Sequence, residues 1–271
     1  MRDVCCMESM TKAHIISVDM GYGHQRAAYP LKDLVQDRII IANKDPIVPD
    51  SDTLLWERAR MFYETVSRLK EVPIMGRFTF DMYDRLQHIS PFFPFRDLSA
   101  PTYSVRRLQR LIKKRGFGQS LVEYVGDSPL PVITTHFIPA LLFHYHGREV
   151  YCTVTDTDIN RVWAPRDSRQ SHITYLSPCR HASLRLRAYG VRHHRIVETG
   201  FPLPKENIGE CREILHRDLV ARLVNLDPNG VFFENYRGVI REKLFTDDSA
   251  PPTSFKELKR YANHPLTITF A

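Results

Sequence analysis

From Leu130 onward, short apolar runs alternate with helix-forming segments, and that rhythm leaves few folds open. LPVITTHF (130–137), EVYCTVTD (149–156), HITYLSP (172–178) and HRIVETGFPLP (194–204) read as strands. IPALLFHYHG and CRHASLRLRAYG read as helices between them, stopped by Gly147 and Gly190. Strands joined through helices pair parallel, because a parallel neighbour can be reached only by a long crossover. The expected fold is α/β, a Rossmann-like and mostly parallel sheet flanked by helices.

The start of the chain fits the same scheme. In AHIISVDMGYGHQRAAYPLKDL (13–34) an apolar run meets a turn with Gly21 and Gly23, and His24 opens a helix-forming segment over 25–36. Strand, glycine turn and helix is how open α/β sheets build a site at the carboxyl end of a strand. Pro30, about a turn in, predicts an irregular or kinked helix. RIIIA (38–42) reads as a buried parallel strand. A helix over 54–70 follows, with Asp52 or Thr53 as its cap.

The stretch from Pro73 to Pro101 packs aromatics between prolines. It is a candidate lid, a surface that dips into lipid, or a segment in which Phe92, Phe93 and Phe95 plug the core. VRRLQRLIKKR (105–115) is an amphipathic basic helix, read either as a solvated face or as a contact for anionic lipid. After Pro204 the pattern gives a helix over 206–226, a further helix or irregular cover, a linker DDSAPPTS, a short helix and a terminal strand LTITFA. The expected organisation is a leader at 1–12 and a Rossmann-like domain at 13–204 with an irregular insertion at about 71–104. A helical connector and linker occupy 205–264, and 265–271 is the first strand of a second domain that has been cut off.

A net charge of +7 favours an anionic partner, but the excess is Arg spread along the chain and no nucleic-acid motif accompanies it. Nucleic acid is therefore not expected. The five cysteines have no CxxC spacing, so neither zinc nor a disulfide framework is implied and a reducing cytoplasm is the simpler setting. No apolar run reaches the roughly 18 residues of a membrane span, and MRDVCCMESMTK lacks the apolar core of a signal peptide.

Several separated pieces share one likeness. GYGHQRAAYPL resembles the glycine-rich loop and helix that begin GT-B glycosyltransferases of the monogalactosyldiacylglycerol synthase and peptidoglycan GlcNAc-transferase kind. VITTHFIPALL resembles that group's THP-x-x-A strand and helix. VTDTDINRVWAPRDSRQSHITYLSP resembles its block of TDF, His, Trp, Asp and Ser, and CRHASLRLRAYGVRHHRIVETGFPLP resembles its run into TG-(I/F)-P. The pieces occur in the family's order over 13–204. The resemblance implies the N-terminal, acceptor-holding domain of such an enzyme. It would move a hexosyl group from a nucleotide sugar to a hydroxyl acceptor, a lipid-borne one (giving a glycolipid) among the candidates, with no cofactor and no metal. LTITFA looks like the start of the donor domain, so the chain would be inactive without the rest.

The resemblance also assigns roles. His24 would be the general base or a donor to acceptor oxygens, its pKa lowered at a helix start; its ordinary role is to cap the helix. Asp156 would share the catalysis, and Asp158 would orient a hydroxyl, although both residue types also make plain turn caps. Gly21, Gly23, His136 and Trp163 would line the acceptor site. An ordinary tight turn, a structural histidine and a packing indole are their alternatives. Two other functions remain open: a nucleotide-sugar 2-epimerase, and a non-enzymatic domain that binds lipid or an anion. Peripheral contact with the inner, anionic membrane face is the expected setting if the acceptor is a lipid.

Overall fold

The computed structural model describes residues 12–69, 89–91, 96–209 and 211–245, together with Lys256. The expected leader up to residue 11, Phe92, Phe93 and Phe95, much of the expected insertion, the expected linker and the strand expected at 265–271 lie outside those residues. The chain divides after Pro202 into two units.

The first unit is an all-parallel sheet of six strands: β1 His14–Ser17, β2 Ile40–Ile41, β3 Val132–Thr134, β4 Val150–Thr153, β5 Ile173–Ser177 and β6 Ile196–Glu198. Their order is β2-β1-β3-β4-β5-β6. The strands are joined through α1 Tyr22–Ala28, a 3-10 turn Tyr29–Leu34, α2 Asp50–Leu69, α3 Tyr103–Arg115, α4 Gln119–Val125, α5 Phe137–Tyr145 and α6 Arg180–Ala188, except that β4 and β5 are joined by two 3-10 turns, Arg161–Trp163 and Ser168–Gln170. The Rossmann-like expectation is met.

The central strands β1, β3 and β5 are covered on both faces, which is why they read as apolar runs, while β6 at the edge is largely exposed. On β1, Ile15 packs with Ala28, Leu31 and Ile133 on one side, while Ile16 joins Ile40, Leu142 and Trp163 in the larger core on the other. Tyr175 on β5 is fully enclosed and donates its hydroxyl hydrogen to the Trp163 carbonyl at 2.8 Å. Arg161 is 5% exposed. Its guanidinium meets no carboxylate among the described residues. It donates instead to the carbonyls of Ser99 (2.8 Å), Ala164 (2.6 Å) and Pro165 (3.1 Å) and to the Ser168 hydroxyl (3.2 Å). Those carbonyls satisfy the fork and pin the loop that carries Trp163.

Several local expectations change. The first helix begins at Tyr22, so His24 is its third residue, because Gly21 takes φ 86° and ψ 163° and turns the chain there. Pro30 falls where α1 gives way to the 3-10 turn. The long helix begins at Asp50 rather than beyond Thr53, and Asp52 does not cap it: its carboxylate accepts the Gly118 amide at 2.8 Å. α3 starts on the Thr102 hydroxyl, which accepts from Val105 N–H at 3.4 Å, and ends on left-handed Gly116. Helix α4 has no counterpart in the sequence reading. β4 ends at Thr153, before the aspartates.

The second unit contains α7 Lys205–Ile208, α8 Glu213–Leu226, α9 Val231–Asn235 and α10 Arg237–Leu244. The single helix expected over 206–226 is broken, because Gly209 (φ 76°) and Arg212 (φ 63°) adopt left-handed backbone. Val220, Ala221, Val224, Phe233 and Ile240 form its core. The Asp227 carboxylate accepts the amides of Val231, Phe232 and Phe233 at 3.0, 2.9 and 3.2 Å, which joins α8 to α9.

Candidate active site at the β1–β3 switch point

The chain winds from β1 outward to β2, then crosses back to β3 on the other flank of β1. The connections leaving the carboxyl ends of β1 and β3 therefore diverge and open a crevice, the place where open α/β sheets bind ligands. His24 follows β1 and His136 follows β3.

The turn after β1 is held rigidly. The Asp19 amide donates to Asn43 Oδ1 at 2.8 Å, and Asn43 Nδ2 returns a bond to the Asp19 carbonyl at 3.1 Å. Gln25 Nε2 donates to the Asp19 carboxylate at 2.9 Å, and Lys44 forms an ion pair with it. Gly21 occupies a backbone region essentially closed to residues with a Cβ. Gly23 is an exposed helical residue with open space where a Cβ would stand.

His24 faces the end of β3. Its Nδ1 lies 2.7 Å from the Thr135 carbonyl and 3.3 Å from Thr155 Oγ1. A carbonyl only accepts, so Nδ1 carries the proton and Nε2 keeps a lone pair. Burial lowers the His24 pKa; the Thr135 bond and the charge of Asp156 push back against it. Thr135 is itself fixed, with its amide on Ile16 O at 3.1 Å and its hydroxyl 3.0 Å from Ser17 Oγ.

His136 is 4% exposed and is the N-cap of α5: its Nδ1 accepts the Ile138 amide at 3.2 Å. Its ring meets that of His24 edge-on, with centroids 4.6 Å apart. It stacks on Phe137 at 4.3 Å and has Trp56 at 6.1 Å and Trp163 at 6.4 Å. Desolvation, followed by the neighbouring His24, keeps its pKa well below the ordinary value.

The two aspartates separate. Asp156 is exposed on the rim, and partial desolvation raises its carboxyl pKa against the pull of His24. Asp158 turns away to Arg185, which is 3% exposed and binds both carboxylate oxygens at 2.7 and 2.8 Å. His181 adds a contact at 3.2 Å. Burial opposes ionisation of Asp158, but these bonds outweigh it and hold the carboxyl below its usual range. Trp163 is 4% exposed and packs against Phe137, with centroids 5.4 Å apart.

The structure thus brings together His24, His136 and the charge of Asp156, with Gly21 and Gly23 at the turn and Trp163 in the wall behind. It does not bring Asp158 to them. The sequence reading missed Thr135, Thr155 and Trp56 as parts of the site. Trp56, one of two tryptophans in the chain, also faces a cleft of about 490 Å³ lined by Lys44, Asp50 and Glu57. Among the described residues no cluster of three or more His, Cys, Asp or Glu could hold a metal, and no helix is long and apolar enough to cross a membrane.

No family model, curated protein or solved structure matches this chain. The chemistry of the site has to be read from its own atoms.

Proposed function

We propose that the crevice between β1 and β3 binds a hydroxyl acceptor and that His24 takes its proton during transfer of a hexosyl group from a nucleotide sugar. The observation that carries this reading is the bond from His24 Nδ1–H to the Thr135 carbonyl at 2.7 Å. It leaves Nε2 unprotonated at the switch point, and the lowered pKa keeps the ring neutral near pH 7, as a general base requires. In the step, the acceptor oxygen bonds to the sugar's anomeric carbon and the bond from that carbon to the diphosphate oxygen breaks. The nucleoside diphosphate leaves and the acceptor proton passes to Nε2. Asp156 stabilises the imidazolium that forms. The ordered motifs over 13–204 support the choice of a hexosyl donor.

The described residues supply the acceptor half of this chemistry; the nucleotide sugar belongs to a donor domain. A lipid-borne acceptor suits the exposed basic face of α3, including Arg107 and Lys113. The test is hexosyl transfer from labelled nucleotide sugars to glycerolipid and polyol acceptors by the protein together with its donor domain. His24→Ala should lower turnover by about 10²-fold or more. Equal turnover would remove His24 as the base, and sugar epimerisation that needs no acceptor would replace transfer with the epimerase reading. Liposome flotation that is unchanged by charge reversal at Arg107 and Lys113 would sink the membrane part.

A further inference from the structure

The two histidines of the crevice are fixed in opposite tautomers. A backbone amide only donates, so the Ile138 N–H at 3.2 Å fixes a lone pair on Nδ1 of His136 and, in the neutral ring, a proton on Nε2. A carbonyl only accepts, so Thr135 fixes the reverse arrangement in His24. Neither Nε2 has a hydrogen-bond partner among the described residues. His136 Nε2 is not fully enclosed, so a ligand can reach it although the residue as a whole is 4% exposed. Burial and the neighbouring His24 ring, 4.6 Å away, keep His136 neutral, so its donor is permanent.

We infer that His136 is the donor half, and His24 the acceptor half, of a pair that selects a neutral hydroxyl; this rests on the acceptor-site reading above. A hydroxyl gives its hydrogen to His24 Nε2 and accepts from His136 Nε2–H through a lone pair. An ammonium has no lone pair for His136. A carboxylate or a fully ionised phosphate has no hydrogen for His24. Either would leave one Nε2 unpaired once the ligand covers it, which is the strong form of discrimination between close analogues. His136 is thereby a specificity-determining residue, and its role as the cap of α5 is what sets its tautomer.

The test uses the full chain with ¹⁵N-labelled histidine and three probes with matched tails: 1-O-hexylglycerol, hexylamine and hexyl phosphate. Imidazole nitrogen spectra at neutral pH should show protonated Nδ1 in His24 and protonated Nε2 in His136. Hexylglycerol should shift both Nε2 signals and bind at least about tenfold more tightly than the amine or the phosphate. His136→Asn keeps a side-chain oxygen to cap α5 but lacks the ring donor, so it should fold and lose most of that preference. An unprotonated His136 Nε2 would overturn the inference. So would amine or phosphate binding as tight as the glycerol ether, failure of all three probes to bind, or an undiminished preference in His136→Asn. Wild-type preference that is lost in His24→Ala, while that variant still transfers sugar at the wild-type rate, would remove the catalytic base and leave the hydroxyl selection standing. Preference kept in His24→Ala would overturn the selection.

Discussion

Helix α5 begins and ends with a histidine pair, and the two pairs are built differently. At its start, His24 and His136 meet ring edge to ring face, and each Nδ1 is committed to a backbone group of opposite character. At its end, His144 Nδ1 accepts the His172 amide at 3.3 Å and also lies 3.3 Å from His172 Nδ1. The first pair turns two Nε2 atoms of complementary chemistry away from the backbone. In the second the two Nδ1 atoms face each other, beside Lys113, at the amino-terminal edge of the sheet. Both pairs leave their Nε2 atoms without a partner among the described residues. What separates them is position: the first pair lies at the carboxyl ends of the strands, where open α/β sheets bind ligands, and the second at the opposite edge.

The largest effect separating the two ends should be on turnover. His24→Ala is expected to cost about 10²-fold or more, near 2.7 kcal/mol of barrier, whereas His144→Phe should leave hexosyl transfer within about twofold, because it touches no proposed reacting group. Steady-state rates of the two variants side by side make the comparison, and an equal loss in both would erase it.

Acid should expose the other end. Desolvation, then His172 and Lys113, push the His144 pKa down to about 4 from an ordinary 6.5. The unfolded chain therefore binds this proton more readily than the folded one. Stability is full above pH 6.5 and falls as the pH drops from there towards 4. The loss should reach roughly 2 kcal/mol at pH 5, and His144→Phe should flatten that slope in urea titrations run across this range. A slope unchanged by the substitution would place the acid sensitivity elsewhere.

A smaller shift should follow from Asp156→Asn. The Asp156 charge raises the His24 pKa, so removing it should lower that pKa further and reduce turnover by less than the loss of His24 itself. A histidine NMR titration reads the direction, and an upward shift would contradict the placement of the two groups. The smallest effect is at Gly23, where a Cβ meets open space. Gly23→Ala should stabilise the fold by about 0.4–1 kcal/mol, while Gly21→Ala, at φ 86°, should destabilise it by about 1–3 kcal/mol. If Gly23→Ala also weakens acceptor binding, the open space is where a ligand approaches.

The sheet was legible because a strand buried on both faces has to be written in apolar residues, as ITYLS and HIIS are. The crevice was half legible: Gly21, His24 and His136 lie next to strand ends, so local pattern reaches them. Asp156 and Asp158 sit two residues apart in one TDTD motif, and nothing local separates them. Arg185, 27 residues further on, claims Asp158 and leaves Asp156 on the rim. Trp56 joins His136 from a helix 80 residues upstream in the chain, a contact that only the folded core creates. The break between α7 and α8 was hidden because Arg212 takes a positive φ, a state its residue type does not announce. Local pattern gives the strands and the turn; the partners that give a side chain its chemistry come from distant segments.

Arg161 has a consequence for how freely the site can change. Its guanidinium holds the Trp163 loop chiefly through the carbonyls of Ser99, Ala164 and Pro165, which every amino acid possesses. An anchor that grips main chain is largely indifferent to which side chains the gripped positions carry. The exposed loop residues Arg166 and Asp167 can therefore be exchanged, in nature or at the bench, without loosening the loop, whereas Val162 and Ala164 are held by the core. Arg161 itself has no such latitude, since lysine lacks the planar fork that reaches several carbonyls at once.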